Sequence, residues 1–455
     1  MPFNYNKTIF LIQLYCIIKS GYINICVKGV SMKLNYKQTI LVGFAFLAIC
    51  TFWQVYDNEI PLILENTFDL KATVIGVVMA FDNIFALFLL PMFGSLSDRT
   101  ETKLGKRMPF ILVGTIAATI LLMLLAYSEK IASLAMFVIV LLLLLVAMGS
   151  FRSPAVALMP DVTCKPLRSK ANAIINLMGT VGGISALMFI KFLKTNGDDH
   201  SYFPLFGAVC IVMLVSLAVL LLTINENKLR KLREEKDLEL TDDEQQEDNG
   251  EMSKDVKRSL IFLLCSVSLW YIGYNALTSA FSRYYQNYWG IQDSGYSSLL
   301  MIATVSAVLS YIPVGIIATK VGRKKTILAG VVILALSFAG GMFFKEYSPL
   351  VKIFFVTVGI GWGTINVNSY PMVVEMSKGS DIGKFTGYYY TFSMAAQVFT
   401  PIFSGFLIDK IGYGILFPYA TFFASMAFIT MLQVKHGDAK VVEKKDILEH
   451  LNVDD

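Results

Sequence analysis

The sequence predicts an all-α membrane protein whose twelve transmembrane helices form two six-helix bundles. The prediction rests on the composition, on the number of long apolar runs and on one polar stretch that divides those runs into equal sets. Of the 455 residues, 55% are hydrophobic and 16% are charged. A water-soluble domain carries roughly 25% charged residues, so this chain has too few to cover a soluble surface. The net charge of +5 is small and does not indicate nucleic-acid binding.

Twelve apolar runs are long enough to be membrane spans. A helix needs roughly 20 mostly apolar residues to cross about 30 Å of hydrocarbon. We number the runs span 1 to span 12, and their approximate ranges are 38–58, 72–93, 109–127, 131–157, 171–192, 203–224, 259–281, 297–318, 326–344, 350–373, 385–408 and 413–433. Glycine and proline occur inside many of them, which bilayer helices tolerate because neighbouring helices satisfy the freed backbone groups.

The distribution of basic residues predicts the orientation of the spans. Among the short loops between spans, those after spans 2, 4, 8 and 10 hold most of the Lys and Arg. Cytoplasmic loops carry such an excess. The chain is therefore predicted to be a multi-pass protein of the cell membrane with both termini in the cytoplasm.

The polar segments define the remaining parts of the chain. Residues 225–258 alternate charges densely, which predicts a solvated cytoplasmic helix followed by disorder. This linker separates an N-terminal bundle at 38–224 from a C-terminal bundle at 259–434, and residues 435–455 form a cytoplasmic tail. Residues 1–37 are predicted to be a leader or cytoplasmic tail. Their apolar stretch at 9–18 is too short to span, and we expect the native chain to begin at Met32; the alternative is an interfacial anchor.

Several classes of function lack their usual residues. The six cysteines show no C-x-x-C spacing and lie mostly in or beside apolar runs, and the chain has three histidines. We therefore predict no disulfide, no metal site and no cofactor. The sequence contains no Walker loop, no H-E-x-x-H and no G-x-S-x-G. This pattern argues against an enzyme, and we predict no catalytic residue.

The loops after spans 2 and 8 resemble each other. The first reads GSLSDRTETKLGKR from Gly94 to Arg107, and the second reads GIIATKVGRKK from Gly315 to Lys325. Each places a glycine near a helix end, then a charged turn, then a basic cluster that opens the next helix. Matching positions in the two halves indicate a duplicated six-span unit, and transporters commonly bind substrate between such units.

These motifs resemble those of a known superfamily. The pattern G-x-x-x-D-R…G-[KR]-R is similar to the signature loop of the major facilitator superfamily. The extra residues before Gly105, the segment FRSPAVALMPD at 151–161 and the segment LWYIGYN at 269–275 resemble the glycoside–pentoside–hexuronide:cation symporters and the sucrose:proton symporters. The resemblance implies the major facilitator fold. In the second loop, Thr319 stands where the family has an aspartate, which weakens any expectation of the same charge lock in both halves.

The resemblance also implies that the signature loop holds the cytoplasmic side closed in one state. Asp98 and Glu101 are expected to find partners in Arg99 and Arg107. The acids that end spans 4 and 10 are expected to pair with Arg168 and Lys384. The full set of predicted gating residues is Gly94, Asp98, Arg99, Gly105, Arg107, Asp161, Arg168, Glu375 and Lys384. The alternative is that these residues are ordinary positive-inside charge.

Three ionisable residues in or near spans are candidates for proton coupling. Ionisable groups inside spans are costly and are usually functional. Asp82 lies near the middle of span 2, where a carboxyl group can exchange a proton as water access alternates. Arg152 in span 4 is its predicted partner, or binds sugar hydroxyls. Asp57 lies near the outer end of span 1, as does Glu59. The alternatives are a static salt bridge or a protonated structural carboxyl group for Asp82, and a snorkelling side chain for Arg152.

Aromatic faces and amides in several spans are predicted to bind a sugar. Sugars need flat apolar faces together with hydrogen-bonding side chains. The predicted substrate-binding residues are Trp53, Gln54, Tyr56, Asn83, Asn172, Asn176, Trp270, Tyr271, Asn275, Trp362 and Asn366, with Tyr274 and Asn368 as further members. Any single aromatic residue here is more often a packing or interfacial residue.

The sequence therefore predicts a secondary transporter that carries a neutral sugar, such as sucrose or maltose, together with a proton. We expect it to act as a monomer in the lipid bilayer. Protons are favoured over sodium because Ala86 and Leu90 replace the acidic pair that the melibiose branch carries before Pro91. The alternative is a proton-driven exporter of drugs or metabolites. The segment Gly179–Gly183 argues mildly against export because it lacks the proline of exporter motifs.

Overall fold

The computed structural model describes residues 22–27, 30–164, 167–194, 201–238, 253–376 and 382–438. These residues are mostly helical, which confirms the predicted class. The α-helices are α1 Tyr36–Asn66, α2 Ala72–Arg99, α3 Met108–Lys130, α4 Leu134–Val162, α5 Arg168–Leu193, α6 Phe203–Thr223, α7 Glu226–Leu238, α8 Lys254–Asn287, α9 Gly295–Val321, α10 Arg323–Gly341, α11 Val351–Glu375, α12 Ile382–Ile411 and α13 Leu416–Leu432. A short 3-10 turn, Tyr413–Ile415, precedes α13.

Within the described residues, eleven helices are long and apolar enough to cross a membrane. They are α1–α6, α8–α10, α12 and α13, and they correspond to spans 1–9, 11 and 12. The tenth predicted span is α11, which has 25 residues but interrupts its apolar sequence with glycine, asparagine and serine. It packs against α9 and α10. The number of long helices therefore agrees with the twelve predicted spans, one of them more polar than the rest.

A two-stranded hairpin precedes α1 and was not predicted. Strand β1, Tyr22–Val27, pairs antiparallel with β2, Val30–Asn35, so that Tyr22 lies opposite Asn35. Both strands contain β-branched residues, which favour a pleated backbone. The apolar stretch at 9–18 lies outside the described residues, and the predicted start at Met32 stays a prediction.

The chain divides into two compact units. The first comprises Met1–Tyr56 and Phe85–Glu244, and the second comprises Asp57–Ile84 and Gln245–Asp455. The later boundary falls inside the predicted linker. The sequence prediction placed 57–84 in the N-terminal bundle, whereas in the structure this segment, the end of α1 and the first half of α2, packs as part of the second unit.

Each unit is built from closely packed long helices. In the first unit, α3 packs against α4 and α6. In the second, α9 and α10 pack against α11, and α8 packs against α12 and α13. Lipid is as apolar as leucine, so close side-chain packing and polar contacts between helices stabilise such assemblies. Fully buried side chains include Phe137, Leu144 and Phe206 in the first unit and Phe281, Phe338 and Ile365 in the second.

Asp409 explains why the start of α2 belongs to the second unit. It lies near the end of α12, and its carboxylate accepts hydrogen bonds from the backbone N–H groups of Ala72 at 2.9 Å and Thr73 at 2.8 Å, and from the Thr73 hydroxyl. A carboxylate at a helix N-terminus satisfies unpaired donors and favours the helix dipole. Further along α2, a Cβ on Gly76 would lie 2.0 Å from the carbonyl oxygen of Pro401, so only glycine permits this approach.

The end of α1 is held in the second unit by side-chain hydrogen bonds. Three of them join it to α8 and to the turn before α13: Ser282 Oγ to the carbonyl oxygen of Asn58 at 3.0 Å, Asn66 Nδ2 to Gln286 Oε1 at 3.0 Å, and the Tyr413 hydroxyl to Glu65 Oε1 at 2.5 Å. These bonds fix segment 57–84 to helices of the C-terminal sequence half.

Replacement of Asp409 by alanine tests this anchoring. We expect Asp409→Ala to destabilise the protein by about 0.5–1 kcal/mol, the lower part of the range for a lost N-cap, because the carboxylate is exposed. The measurement is thermal unfolding of the purified protein in detergent. Lys410→Ala, at the exposed neighbouring position, is the matched control. An equal effect of both substitutions would show that the cap contributes nothing.

Candidate functional site

Arg107 is the centre of a charged cluster in the first unit. It immediately precedes α3, and its side chain is only 7% exposed. Its guanidinium group donates from Nε to Asp161 Oδ2 at 2.7 Å, from Nη2 to Asp98 Oδ1, and from Nη1 to the hydroxyl of Ser97. Nη1 also lies 3.3 Å from the carbonyl oxygen of Gly94. One arginine thus joins the ends of α2 and α4 to the start of α3.

The protonation state of Arg107 follows from these contacts. Burial alone would lower the pKa of Arg107, but the hydrogen bonds and negative charges of Asp161 and Asp98 raise its pKa above the usual value. The guanidinium group therefore stays charged at every physiological pH.

Glu226 completes the cluster from the linker helix. It is the first residue of α7 and is 1% exposed. Its carboxylate accepts backbone hydrogen bonds from Lys106 at 2.7 Å, from Arg107 at 3.0 Å and from Met108 at 3.1 Å. We call Asp98, Arg107, Asp161 and Glu226 the first loop cluster. The sequence prediction missed Glu226 because it treated the linker as solvated.

The second unit contains a related arrangement, which we call the second loop cluster: Arg323, Glu375 and Asp438. Arg323 opens α10 and forms an ion pair from Nη1 to Oε1 of Glu375, at the end of α11. Asp438 Oδ1 accepts a hydrogen bond from the backbone N–H of Lys324 at 3.1 Å. Thr319 holds the position that corresponds to Asp98, so this cluster has no acidic counterpart there, as the sequence indicated. The Thr319 hydroxyl donates a hydrogen bond to the carbonyl oxygen of Ile316.

The predicted gating residues are only partly brought together. Gly94, Asp98, Gly105, Arg107 and Asp161 meet in the first unit, where a Cβ on Gly94 would lie 3.1 Å from Ser153 Oγ. Arg99 is exposed and forms no ion pair within the described ranges. Glu101 lies 3.8 Å from Lys106 Nζ instead.

The expected pairs of Asp161 with Arg168 and of Glu375 with Lys384 are not formed. Arg168 donates to the carbonyl oxygens of Pro160 at 3.0 Å and Thr163 at 3.3 Å. Lys384 is exposed, without an ion pair among the residues that the structure describes. Both acids pair instead with an arginine at the start of the third helix of the same half. The first turn of that helix brings Arg107 or Arg323 beside the end of the fourth helix.

Arg152 lies over an aromatic ring in the first unit. Its guanidinium carbon is 5.5 Å from the centroid of Trp53, a cation–π geometry. The indole ring meets Tyr56 edge-on at 5.2 Å, and its buried Nε1 has no hydrogen-bond partner among the described residues. Arg152 and Trp53 thus place a positive charge and a free donor side by side. The predicted pairing of Arg152 with Asp82 stays a prediction.

The amides predicted in this unit have different surroundings. Gln54 is half-buried and faces α5, because a Cβ on Gly183 would lie 3.6 Å from its Oε1. Asn172 and Asn176 are exposed, one turn apart on α5. All three side chains are carried by α1 and α5, which a hydrogen bond from Thr51 to the carbonyl oxygen of Gly182 joins at 3.1 Å.

An aromatic platform forms in the second unit from Tyr271, Tyr274 and Trp362. Tyr274 stacks on Trp362 with a centroid distance of 3.8 Å and an interplanar angle of 4°, and Tyr271 meets the same indole edge-on at 5.2 Å. Edge-to-face contact is a preferred aromatic geometry, whereas the nearly parallel pair lies almost face to face. The three residues were predicted from two separate spans, and the packing of α8 against α11 brings them together.

The remaining predicted residues near the platform differ in availability. Asn275 is half-buried, and its Nδ2 has no hydrogen-bond partner within the described part of the chain. Asn366 is exposed and shares a hydrogen bond with Tyr311. Asn368 is buried and donates to the carbonyl oxygen of Thr364 at 2.9 Å, which is a structural role. Trp270 is fully buried, so helix packing occupies the ring that was predicted to bind substrate.

Asp82 is half-buried in α2, in the second unit. Its Oδ1 accepts hydrogen bonds from the backbone N–H of Asn83 at 2.5 Å and from Asn83 Nδ2 at 2.7 Å. Asn83, predicted as a substrate ligand, therefore uses its amide to orient Asp82 in this structure. Asp57, the third predicted coupling residue, is exposed in the second half of α1, which continues to Asn66.

Two buried charged residues in the second unit were underestimated from the sequence. Glu59 is fully buried and accepts a hydrogen bond from the Tyr296 hydroxyl. Arg283 lies just beyond the predicted span 7, which ends at residue 281, but α8 continues to Asn287 and buries it. Its Nε and Nη1 have no hydrogen-bond partner in the described ranges. The sequence did carry a signal for both residues, because Glu59 and Arg283 are ionisable and lie at the ends of long apolar runs.

Long helices in two related sets, each with a basic turn before its third helix and an arginine paired to the end of its fourth, define a polytopic membrane transporter of the major facilitator fold. The chain belongs to the family described as MFS/sugar transport protein, which its sequence matches over residues 41–434. No curated protein matches the sequence.

Solved structures share this fold at low sequence identity. A D-xylose–proton symporter aligns with a TM-score of 0.68 and 14% identity over 90% of this chain and 100% of that one. The nucleoside transporter NupG aligns with a TM-score of 0.62 and 17% identity over 89% of this chain and 100% of that one. The inward-open xylose transporter XylE from E. coli aligns with a TM-score of 0.61 and 14% identity over 91% and 99%. At these identities the likeness shows the fold alone.

Proposed function

We propose that the chain is a secondary transporter that imports a neutral sugar, such as sucrose, maltose or a related glycoside, together with a proton by alternating access. The observation that carries this proposal is the aromatic platform of Tyr271, Tyr274 and Trp362 in a chain of a sugar-transport family. Stacked rings offer a flat apolar face of the kind that the C–H groups of a sugar ring cover.

Each unit separately offers an unpaired donor that suits a sugar hydroxyl. Sugar hydroxyls accept hydrogen bonds as well as donate them. Asn275 Nδ2 in the second unit and Trp53 Nε1 in the first are buried donors without a partner among the described residues. An unsatisfied buried donor costs roughly 1–3 kcal/mol, so a ligand oxygen that satisfies it gains that energy. Arg152, beside Trp53, adds a charged donor.

Asp82 is the proposed proton-binding group, with Arg152 and Asp57 as the other coupling residues. Asp82 is half-buried, and Asn83 holds its carboxylate in one orientation. A carboxyl group inside a span is costly, which favours a functional role. The proposed orientation has both termini and both loop clusters on the cytoplasmic side, in agreement with the basic loops.

A nucleoside is a second substrate class that one observation favours. The face-on stack of Tyr274 and Trp362 also suits a planar base, and the solved nucleoside transporter NupG has the same fold. A nucleoside presents a pentose with the same hydroxyl chemistry as a sugar. The two classes differ in whether a base is required for binding.

Uptake by whole cells tests the proposal. Cells that carry the gene are expected to accumulate at least one of labelled sucrose, maltose and melibiose above cells with an empty vector, and a proton uncoupler should abolish the accumulation. A labelled nucleoside, in the same assay, separates the two substrate classes. No uptake of any of the three sugars would refute sugar import. Accumulation that resists the uncoupler and follows a sodium gradient would refute proton coupling.

A further inference from the structure

An acidic side chain beyond the last long apolar helix of each sequence half reaches the turn that opens the third helix of that half. In the first unit this side chain is Glu226, which follows α6 by three residues. In the second unit it is Asp438, which follows α13. Both lie in segments that the sequence pattern assigned to a linker and a tail. Both contact a glycine with positive φ: Gly105 at +123° and Gly322 at +97°.

The geometry in the first unit is close. A Cβ on Gly105 would lie 2.1 Å from Glu226 Oε2, so the carboxylate occupies the space that a side chain there would take. The neighbouring Asn227 donates from Nδ2 to the carbonyl oxygens of Thr102 at 3.0 Å and Lys103 at 3.2 Å. Glu226 and Asn227 together hold the signature loop from residue 102 to residue 108.

The second unit repeats this arrangement with fewer bonds. A Cβ on Gly322 would lie 2.9 Å from Asp438 Oδ2. The segment that carries Asp438 is itself anchored to the start of α8, because Ser259 Oγ lies 2.8 Å from Nδ1 of His436 and accepts from the backbone N–H of Lys435 at 3.2 Å. Asp438 accepts one backbone N–H, at Lys324, whereas Glu226 accepts three.

We infer that Glu226 and Asp438 are positioning residues for the two arginines that close the loop clusters. Each carboxylate fixes the backbone from which Arg107 or Arg323 reaches the acid at the end of the fourth helix. The inference rests on the proposed transport by alternating access, in which the signature loop is expected to hold the cytoplasmic side closed in one state only. Through Glu226, the start of the linker helix is coupled to the network around Arg107.

The physical basis is the burial of Glu226. Its carboxylate is 1% exposed, and the donors it accepts from are the first N–H groups of α3 and its turn. Their loss leaves up to three donors without a partner and removes a negative charge from a helix N-terminus. The turn is then free to move, and Arg107 loses its fixed distance to Asp161. Asp438, with one bond, is expected to have a smaller effect.

Glu226→Ala in the full chain tests the inference. Cys164 is the reporter, because it lies in the loop after α4, three residues beyond Asp161, and is buried. With the other five cysteines replaced by serine, we measure the rate at which a maleimide labels Cys164 in inside-out vesicles. Glu226→Ala is expected to speed labelling about fivefold, in line with the loss of a helix N-cap. It should lower the maximal uptake rate more than it changes KM.

Glu234→Ala is the matched control, since Glu234 lies on the same helix, is exposed and, among the residues that the structure describes, forms ion pairs with arginines of α7 alone. It should label at the wild-type rate. Equal labelling of Glu226→Ala and Glu234→Ala would overturn the inference. If Glu226→Ala does not fold, Glu226→Gln takes its place, because glutamine keeps one accepting oxygen. Its Cys164 must be labelled faster than in Glu234→Ala, by less than the fivefold expected for Glu226→Ala. No increase in the labelling rate would overturn the inference. Faster labelling in a protein that carries none of the tested sugars supports the positioning role and refutes only the proposed substrate.

Discussion

Asp82→Asn is expected to abolish uphill accumulation of the sugar while it spares exchange of sugar across the membrane. An amide cannot bind and release a proton, so the substituted transporter has no means to use the proton gradient. The substitution is nearly isosteric, and the oxygen of the new side chain can still accept the hydrogen bonds that Asn83 donates to Asp82. The local fold is therefore expected to survive, and the effect to fall on coupling.

The measurement compares accumulation and exchange in one preparation. Accumulation is followed with and without an uncoupler, and exchange by counterflow from vesicles loaded with unlabelled sugar. Asp69→Asn is the matched control, because it makes the same charge change at an exposed residue of the loop between α1 and α2. Accumulation that continues unchanged in Asp82→Asn would show that Asp82 is structural and that another group carries the proton.

Arg107→Ala is expected to stop transport and to destabilise the protein. Removal of this guanidinium group leaves Asp98 and Asp161 without their shared cation and breaks the links among α2, α3 and α4. Loss of one partner of a buried ion pair costs about 3–5 kcal/mol. Asp98 is 62% exposed and Asp161 is 25% exposed, so water compensates part of this loss and about 2–3 kcal/mol is a realistic expectation.

Two further variants separate charge from geometry at this position. Arg107→Lys keeps the charge but lacks the planar fork that reaches both acids at once, so it should fall between the wild type and Arg107→Ala. Arg99→Ala, at an exposed position without an ion pair in the described ranges, should have little effect. The readouts are uptake at matched expression and thermal unfolding in detergent. Equal behaviour of Arg107→Ala and Arg99→Ala would contradict a role for the first loop cluster.

The spans follow from the sequence because they depend on local composition. The ion pairs of the loop clusters do not. Arg168 is closer to Asp161 along the chain than Arg107 is, and both are basic, so spacing favours the wrong partner. Asp161 pairs with Arg107 because the turn at Gly105 places Arg107 beside the end of α4. In the sequence, nothing distinguishes Glu226 from the other charged residues of the linker. Its role is visible only in the structure, where it lies at the start of α3.

The same distinction applies to the aromatic residues. Trp270 and Tyr271 are adjacent in sequence, and both were predicted to contact the sugar. Consecutive residues of a helix point in different directions, so when Tyr271 joins Trp362 in the platform, Trp270 is turned into the packed interior. Sequence alone identifies the helix that supplies aromatic side chains, but the choice of residue depends on how α8 is rotated against its neighbours.

Segment 57–84 shows a third limit of prediction from sequence. It lies in the N-terminal half of the chain, and its apolar pattern gives no reason to separate it from the rest of spans 1 and 2. The structure assigns it to the second unit because Asp409 caps α2, and because Ser282 and Tyr413 bond to the end of α1. These are single polar contacts at helix ends, and hydrophobic periodicity does not reveal them.

Sugar accumulation by the purified protein in liposomes, driven by an imposed pH gradient, tests proton-coupled sugar import most directly. With one proton carried per sugar, a gradient of one pH unit, acidic outside, is predicted to concentrate the transported sugar about tenfold inside, since 1.4 kcal/mol corresponds to a tenfold ratio. An uncoupler should collapse this ratio to one. A ratio of one for every sugar under the pH gradient, or accumulation that requires a sodium gradient, would contradict the proposal.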